Sequence, residues 1–197
     1  VDAAMVSTTE LIADFLVSMG RKISKSVASS LLTGLITDTI GFRTSNITPK
    51  AMRLAADLIE AGADQYYLYQ KALNSQSYEA LHYWGFGLKK LTREEGLVWT
   101  SLTEGDRRLA GYPGKDDADL INLLSTMDGM DIALVFIEQP RGSVKVSWRS
   151  QPEYDVSGVA LQFGGGGHPR ASGAEIPGSL EEVQNRVLLA TRQLLNS

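Results

Sequence analysis

Apolar positions recur at helical spacing through roughly the first ninety residues and at strand spacing in short runs after that. Ser7 Thr8 Thr9 Glu10 fits a capping box, and Leu11, Ile12, Phe15, Leu16 and Met19 then predict a helix that packs this face inward and ends at Gly20. Ser24 opens a second helix through Val27, Leu31, Leu32, Leu35 and Ile36, apolar enough to be largely buried, which delivers Thr37 Asp38 Thr39 at its C-terminal end. Thr48 caps a third helix with Pro49 at its first position; Met52, Leu54, Ala55, Leu58 and Ile59 form its apolar set, and Gly62 stops it. Residues 64–74 and 77–91 read as two further helices, rich in Tyr66, Tyr67, Tyr69, Tyr78, Tyr83 and Trp84. Aromatics at that spacing point to a core or an interface rather than a base-stacking platform. His82, with no second histidine or carboxylate at ligand spacing, reads as a structural or surface residue.

The pattern shifts at Leu97–Leu102, a short strand. Residues 104–119 are charged and contain Gly105, Gly111, Pro113 and Gly114, which marks the best candidate for a domain boundary. A helix over 116–127 follows, then two alternating runs, 132–138 and 143–149, on either side of Gln139 Pro140 Arg141 Gly142, which predict a hairpin. A short helix over 155–163, a strand at 174–176 and a closing helix from the Ser179/Glu182 capping box to Leu195 complete the chain. The expected fold is α/β: a mostly helical part over 1–103, then a compact α/β unit with a mixed sheet over 104–197.

Composition narrows the chemistry. A chain of 197 residues suffices for two small domains. Its net charge of −4 argues against a broad electrostatic grip on duplex nucleic acid and leaves short or single-nucleotide phosphate ligands open. With no cysteine there are no disulfides, thiolate metal sites or cysteine nucleophiles, which is compatible with a reducing cytoplasm. No apolar run approaches the ~20 residues that cross a bilayer, so a soluble protein is expected. Val1 is not an initiator methionine, and the chain reads as the continuation of something longer.

The most informative stretch is Gly164 Gly165 Gly166 Gly167 His168 Pro169 Arg170 Ala171 Ser172 Gly173. Consecutive glycines are entropically costly and are kept where side chains would block a turn or a ligand's approach, leaving amide N–H groups open to an anion. His168 and Arg170 add directed donors, and phosphate contact is preferred over a flexible linker. Arg149, at the end of the strand in Ser147 Trp148 Arg149 Ser150, serves either as a solubilising edge residue or as a fork for phosphate; the nearby glycine loop favours the fork. Asp38 sits at the negative end of a buried helix, where a cation would relieve it, although an ordinary solvated helix end fits equally well.

These residues resemble the DHH/DHHA1 phosphoesterase family over nearly the whole chain. Gly165 Gly166 Gly167 His168 with Ala171 and Gly173 is similar to its GGGH-x-x-A-A-G signature, and Ser147–Ser150 to its S-x-R-S strand. Leu32–Arg43 with Asn46 and Pro49 resembles the segment around T-D-T-G-x-F-R, and Ser7–Glu10 the S-T-A-E helix start. Ser172 stands where the signature has alanine, and Ile40 Gly41 moves a turn glycine by one position. The layout is nearest the oligoribonuclease/pAp-phosphatase (nano-RNase) subgroup. The resemblance implies hydrolysis of very short RNAs and of 3′-phosphoadenosine 5′-phosphate (pAp), by a DHH domain holding two Mn²⁺ ions, or Mg²⁺ in their place, and a smaller DHHA1 domain that binds substrate. By similarity Asp38 is a metal ligand and catalytic, while Arg149, Ser150, Gly165, Gly166, Gly167, His168 and Arg170 bind substrate.

The family's D-x-D, further aspartate and D-H-H motifs do not occur in these residues, so most ligands of a binuclear centre are lacking. The expectation is the C-terminal portion of a phosphoesterase, inactive alone, with a sheet edge or apolar helix faces left uncovered and prone to self-association as a homodimer. A phosphodiesterase for cyclic or linear dinucleotides, an exopolyphosphatase, and a non-catalytic nucleotide- or RNA-binding module are the competing expectations.

Overall fold

The computed structural model describes residues 6–44, 46–73 and 75–195. The chain divides into two compact units, one up to Gln76 and one from Ser77. The first holds four helices, α1 (Thr8–Ser18), α2 (Lys25–Asp38), α3 (Pro49–Glu60) and α4 (Gln65–Leu73). Their starts follow the capping residues: Ser24 accepts from Val27 N and Thr48 from Ala51 N, with Pro49 in the first turn where its missing N–H costs nothing. Leu31, Leu32, Leu35 and Ile36 of α2 and Leu58 of α3 form the core of this unit.

α1 departs from expectation in its facing. Thr9, Glu10 and Ala13 are its buried residues, whereas Leu11, Ile12, Phe15 and Met19 are exposed. Small contacts explain the rotation: Thr9 Oγ1 packs so closely on Gly34 of α2 that a Cβ there would overlap it. The N-terminal cap differs too. Ser7 Oγ accepts from Thr9 N, and Glu10 reaches past Ser7 to accept from Val6 N at 2.9 Å. Tyr66, Tyr67 and Tyr78 are exposed rather than core; Tyr83 is the buried member of the aromatic set.

The second unit is built on a six-stranded mixed sheet of order β1-β2-β3-β4-β6-β5. It comprises α5 (Tyr78–Lys89), β1 (Thr92–Glu94), β2 (Leu97–Leu102), α6 (Glu104–Ala110), α7 (Leu120–Leu124), β3 (Ile132–Gln139), β4 (Ser143–Ser150), α8 (Ser157–Gln162), β5 (Gly166–His168), β6 (Ala171–Pro177) and α9 (Leu180–Leu195). β2 and β3 run parallel, joined through α6 and α7, and the other pairs are antiparallel. Residues 77–103, which sequence patterning groups with the N-terminal half, pack here because β2 pairs with β3 and Thr100 Oγ1 bonds the Gly87 carbonyl of α5. The charged stretch from Glu104 is not a linker at its start: Thr103 and Asp106 close a capping box that opens α6. The helix expected over 116–127 shortens to α7, since Ala118 and Asp119 both take left-handed backbone.

Alternation divides the sheet's faces. Leu134, Phe136, Val144, Val146, Trp148 and Ile176 meet α8 and α9 on one side, and Val98, Leu102, Ala133, Val135 and Ile137 meet α5, α6 and α7 on the other. Trp148, fully buried, donates from Nε1 to Thr191 Oγ1 of α9 at 3.2 Å, and Thr191 donates on to the Val187 carbonyl. Thr191→Val strands that indole N–H in an apolar core and is expected to lower stability by about 1–3 kcal/mol in urea melts.

Candidate functional site

On the α7 side of the sheet the pattern changes at β4. Its residues facing that way are Lys145, Ser147 and Arg149, and the register continues them across β6 and β5. Arg149 lies opposite Ala171, which lies opposite His168; Ser147 lies opposite Gly173, which lies opposite Gly166. All six are half-buried or exposed. The result is a shelf of two cross-strand rows: one with an arginine and a histidine on strands roughly 10 Å apart, two strand spacings, on either side of an alanine; the other nearly bare of side chains.

The glycines of the run 164–167 have separate physical reasons. Gly164, at φ +76, turns the chain out of α8. Gly165 passes so close to β6 that a Cβ would lie 2.6 Å from Ala174 Cβ and nearer still to the Gly173 carbonyl. Gly167, at φ +143, would place a Cβ 2.7 Å from Ser172 Cα. Gly166 is different. It has no positive φ, and a Cβ there would meet nothing within 4 Å, so neither backbone conformation nor internal packing requires glycine. The bare backbone at that position leaves room for a ligand to lie close against the strand. The loop read from sequence is thus an edge strand closed by a turn at Pro169 and Arg170. Ser172, at the signature's alanine position, fixes the turn by donating to the His168 carbonyl at 2.8 Å.

Arg149 is partly buried and tethered. Its Nε donates to Asn122 Oδ1 of α7 at 3.3 Å and its Nη1 to the Trp148 carbonyl at 3.0 Å. Burial lowers its pKa from the usual guanidinium value, opposed by the Asp117 and Asp119 carboxylates nearby. Burial likewise raises the Asp117 carboxyl, opposed by its bond from Ile121 N. The neighbouring Ser150 points to the other face, and its hydroxyl donates to the Tyr154 carbonyl at 2.6 Å. Arg170, half-buried in the turn, accepts through its carbonyl from Ser150 N, so both residues hold the hairpin in place.

Asp38, in the first unit, ends α2 with an exposed carboxylate that accepts from Ser7 Oγ at 2.6 Å. The chain then runs through Ile40, Gly41 and Phe42, all in left-handed backbone. Ile40 takes up the conformation for which the family's order supplies glycine, and Thr39, fully buried, holds the turn by donating to the Leu35 carbonyl and accepting from Phe42 N. Among the described residues no group of three or more His, Cys, Asp or Glu side chains is placed to hold a metal. Asp38 fits as one hard oxygen ligand, and these residues do not complete a centre around it.

The strand register brings together Arg149, His168 and Gly166, which sequence reading singles out, with Asn122, Asp117 and Asp119 near Arg149, which it does not. The one local signal of the two aspartates is the acidic run at 116–119, and Asn122 has none. Among known families, the DHHA1 domain matches residues 108–196, within the second unit. The whole chain is homologous to the bifunctional oligoribonuclease and PAP phosphatase NrnA of Thermus thermophilus, with 33% identity over 99% of this chain and 59% of that protein. The NrnA of Bacillus subtilis is 27% identical over 89% of this chain and 56% of its own length. A crystal structure of an exopolyphosphatase-related protein from Bacteroides fragilis superposes with a TM-score of 0.87 at 27% identity, covering 98% of this chain and 57% of that one. The chain therefore spans somewhat over half the length of the relatives it matches, and in the DHHA1 domain the shelf coincides with the glycine-histidine segment.

Substitution separates the glycines. Gly165→Ala is expected to lose about 1–3 kcal/mol through backbone overlap, whereas Gly166→Ala is expected to melt within about 0.5 kcal/mol of the wild type in urea. Ile40→Gly, which removes the left-handed strain, is expected to gain about 0.5–1 kcal/mol in the same measurement.

Proposed function

We propose that this chain carries the substrate-binding part of a metal-dependent phosphoesterase acting on short oligoribonucleotides and pAp, with the first unit the remainder of a DHH domain and the DHHA1 domain, expected from sequence over 104–197, within the second unit. The observation that carries the reading is Gly166, a glycine that the fold itself does not require, set on the shelf that Arg149 and His168 bound. Arg149 and His168 hold the phosphate of a nucleotide, the bare strand at Gly166 lets the ligand lie against the backbone, and Gly165, Gly167, Ser150 and Arg170 keep that strand and its turn in register. The names of the Thermus and Bacillus relatives favour this substrate class.

Asp38 is assigned as one ligand of a divalent ion, Mn²⁺ or Mg²⁺. Such an ion supplies an activated water and neutralises phosphoryl charge when bound. The residues of this chain orient and neutralise the substrate, and the remaining ligands are assigned to parts of such a protein outside these 197 residues. The chain alone is then a nucleotide-binding module without turnover, at home in a reducing cytoplasm. The exposed apolar residues of α1 suit further association, by a homodimer or by the rest of the DHH domain.

The test is calorimetry of the 197-residue chain with pAp, alongside di- to pentaribonucleotides, linear dinucleotides and polyphosphate. pAp and short RNAs are expected to bind without hydrolysis. Arg149→Ala and His168→Ala are each expected to weaken binding by roughly 1–3 kcal/mol, a charge-assisted contact being lost. Unchanged affinity in both would remove the shelf as the site, and tighter binding of polyphosphate than of any nucleotide would favour the exopolyphosphatase reading. In the complete enzyme, Asp38→Asn is expected to abolish hydrolysis while sparing most nucleotide affinity.

A further inference from the structure

Three features near Arg149 share one outcome. Ala118 and Asp119 sit side by side in left-handed backbone, at φ +51 and +66, a conformation that costs residues with a Cβ of order 1–2 kcal/mol each. Such strain persists where surrounding contacts over-determine it. Here Trp84 Nε1 donates to the Ala118 carbonyl at 2.8 Å, Asp116 Oδ1 accepts from Ala118 N at 3.0 Å, and the buried Asp117 accepts from Ile121 N at 2.9 Å. The kink breaks what sequence patterning reads as one longer helix and starts α7 afresh at Leu120, beside β3 and β4. The side chain that this places on Arg149 is Asn122, whose Oδ1 receives Arg149 Nε while its Nδ2 donates to Asp119 Oδ1 at 3.4 Å.

We infer that Asn122 is a positioning residue, which holds the Arg149 guanidinium in the plane and direction that the shelf needs, and that the strained turn at 118–119 exists to put it there. This rests on the phosphate-binding reading of the shelf. A guanidinium offers five N–H donors in a rigid fork. Asn122 takes Nε and the Trp148 carbonyl takes one N–H of Nη1, while Nη2 has no partner among the described residues, so the end of the fork is left for a ligand. An amide suits the role better than a carboxylate would. Its oxygen orients the arginine without forming the ion pair that would compete with an incoming phosphate, and its NH₂ group turns toward Asp119, which fixes which end of the amide faces the arginine. Asp117 and Asp119 supply field but make no direct bond to the guanidinium, so charge stays available for the ligand.

The test is a double-mutant cycle on the 197-residue chain, with pAp as the probe in calorimetry and the Arg149 Nε–H resonance read by NMR without ligand. Asn122→Ala is expected to weaken pAp binding about 5- to 10-fold in the wild-type background and to have no further effect when Arg149 is already alanine. It is also expected to speed solvent exchange of the Arg149 Nε proton. Equal weakening in both backgrounds would mean that Asn122 acts through the fold and not through Arg149, and an unchanged Nε–H resonance would overturn the positioning role whatever the affinities. Should Arg149→Ala itself lose no affinity, the assignment of the shelf to pAp fails, while the ligand-free resonance still decides whether Asn122 holds the guanidinium.

Discussion

The close passage of one backbone against another at the outer edge of the sheet governs the geometry of the second unit's site. Between Gly165 and Gly167 the chain approaches β6 so nearly that methyl groups would overlap the Gly173 carbonyl, Ala174 and Ser172. That approach makes a three-residue strand out of what composition alone would leave as a loop, and the strand fixes everything beside it. His168 comes into register with Ala171 and Arg149, and Gly166 into register with Gly173 and Ser147. Edge strands are commonly protected from unwanted pairing by charge or by twist; this one is short and ends in a turn that Ser172, Ser150 and Val156 tie down through the carbonyls of His168, Arg170 and Pro169. A rigid edge serves a ligand better than a mobile loop, because the cost of ordering the backbone has been met during folding.

The sheet's other constraint is how its two faces are covered. On the side of α8 and α9 apolar residues run from β2 to β6, with Trp148 at the centre and the buried Ser172 beside it. On the opposite side the apolar surface stops at β3, and β4 presents Lys145, Ser147 and Arg149 instead. That half-covered face is what gives the arginine its environment: half-buried, with Nε bonded to Asn122 and Nη1 to the Trp148 carbonyl. Full burial would leave it unable to meet a ligand, and full exposure would leave its direction unset and its charge screened by water.

Much of this was legible from residue order, and the failures have definite causes. Helix starts at Ser24, Thr48 and Ser179 could be read because a hydroxyl capping an exposed amide is a local interaction. The β3–β4 hairpin showed itself by alternation. The facing of α1 was misread because spacing gives the period of a helix and not its rotation; contact of Thr9 with Gly34 turned polar residues inward against the preference of the apolar ones. Composition marks the charged stretch at 104–119 as a boundary, whereas its first half is a capped helix and its second half ends in a strained turn. Asn122 was invisible, since nothing in a chain's local pattern tells which side chain a crossover will lay on a strand end.

Strain recurs beside both groups to which chemistry is assigned. Ile40 and Phe42 take left-handed backbone just after Asp38, and Ala118 and Asp119 do so just before the helix that tethers Arg149. In each case a buried polar side chain stabilises the turn, Thr39 in the first unit and Asp117 in the second, each bonded to backbone within five residues. In the second unit sequence patterning favours one longer helix through 116–127, and such a helix would move Asn122 off Arg149. In the first unit Thr39, Ile40 and Gly41 are weak helix formers, so α2 ends where propensity falls and the left-handed turn follows from there. Intrinsic helix preference is thus overridden at 118–119, and followed at the end of α2 as it is at the capped helix starts.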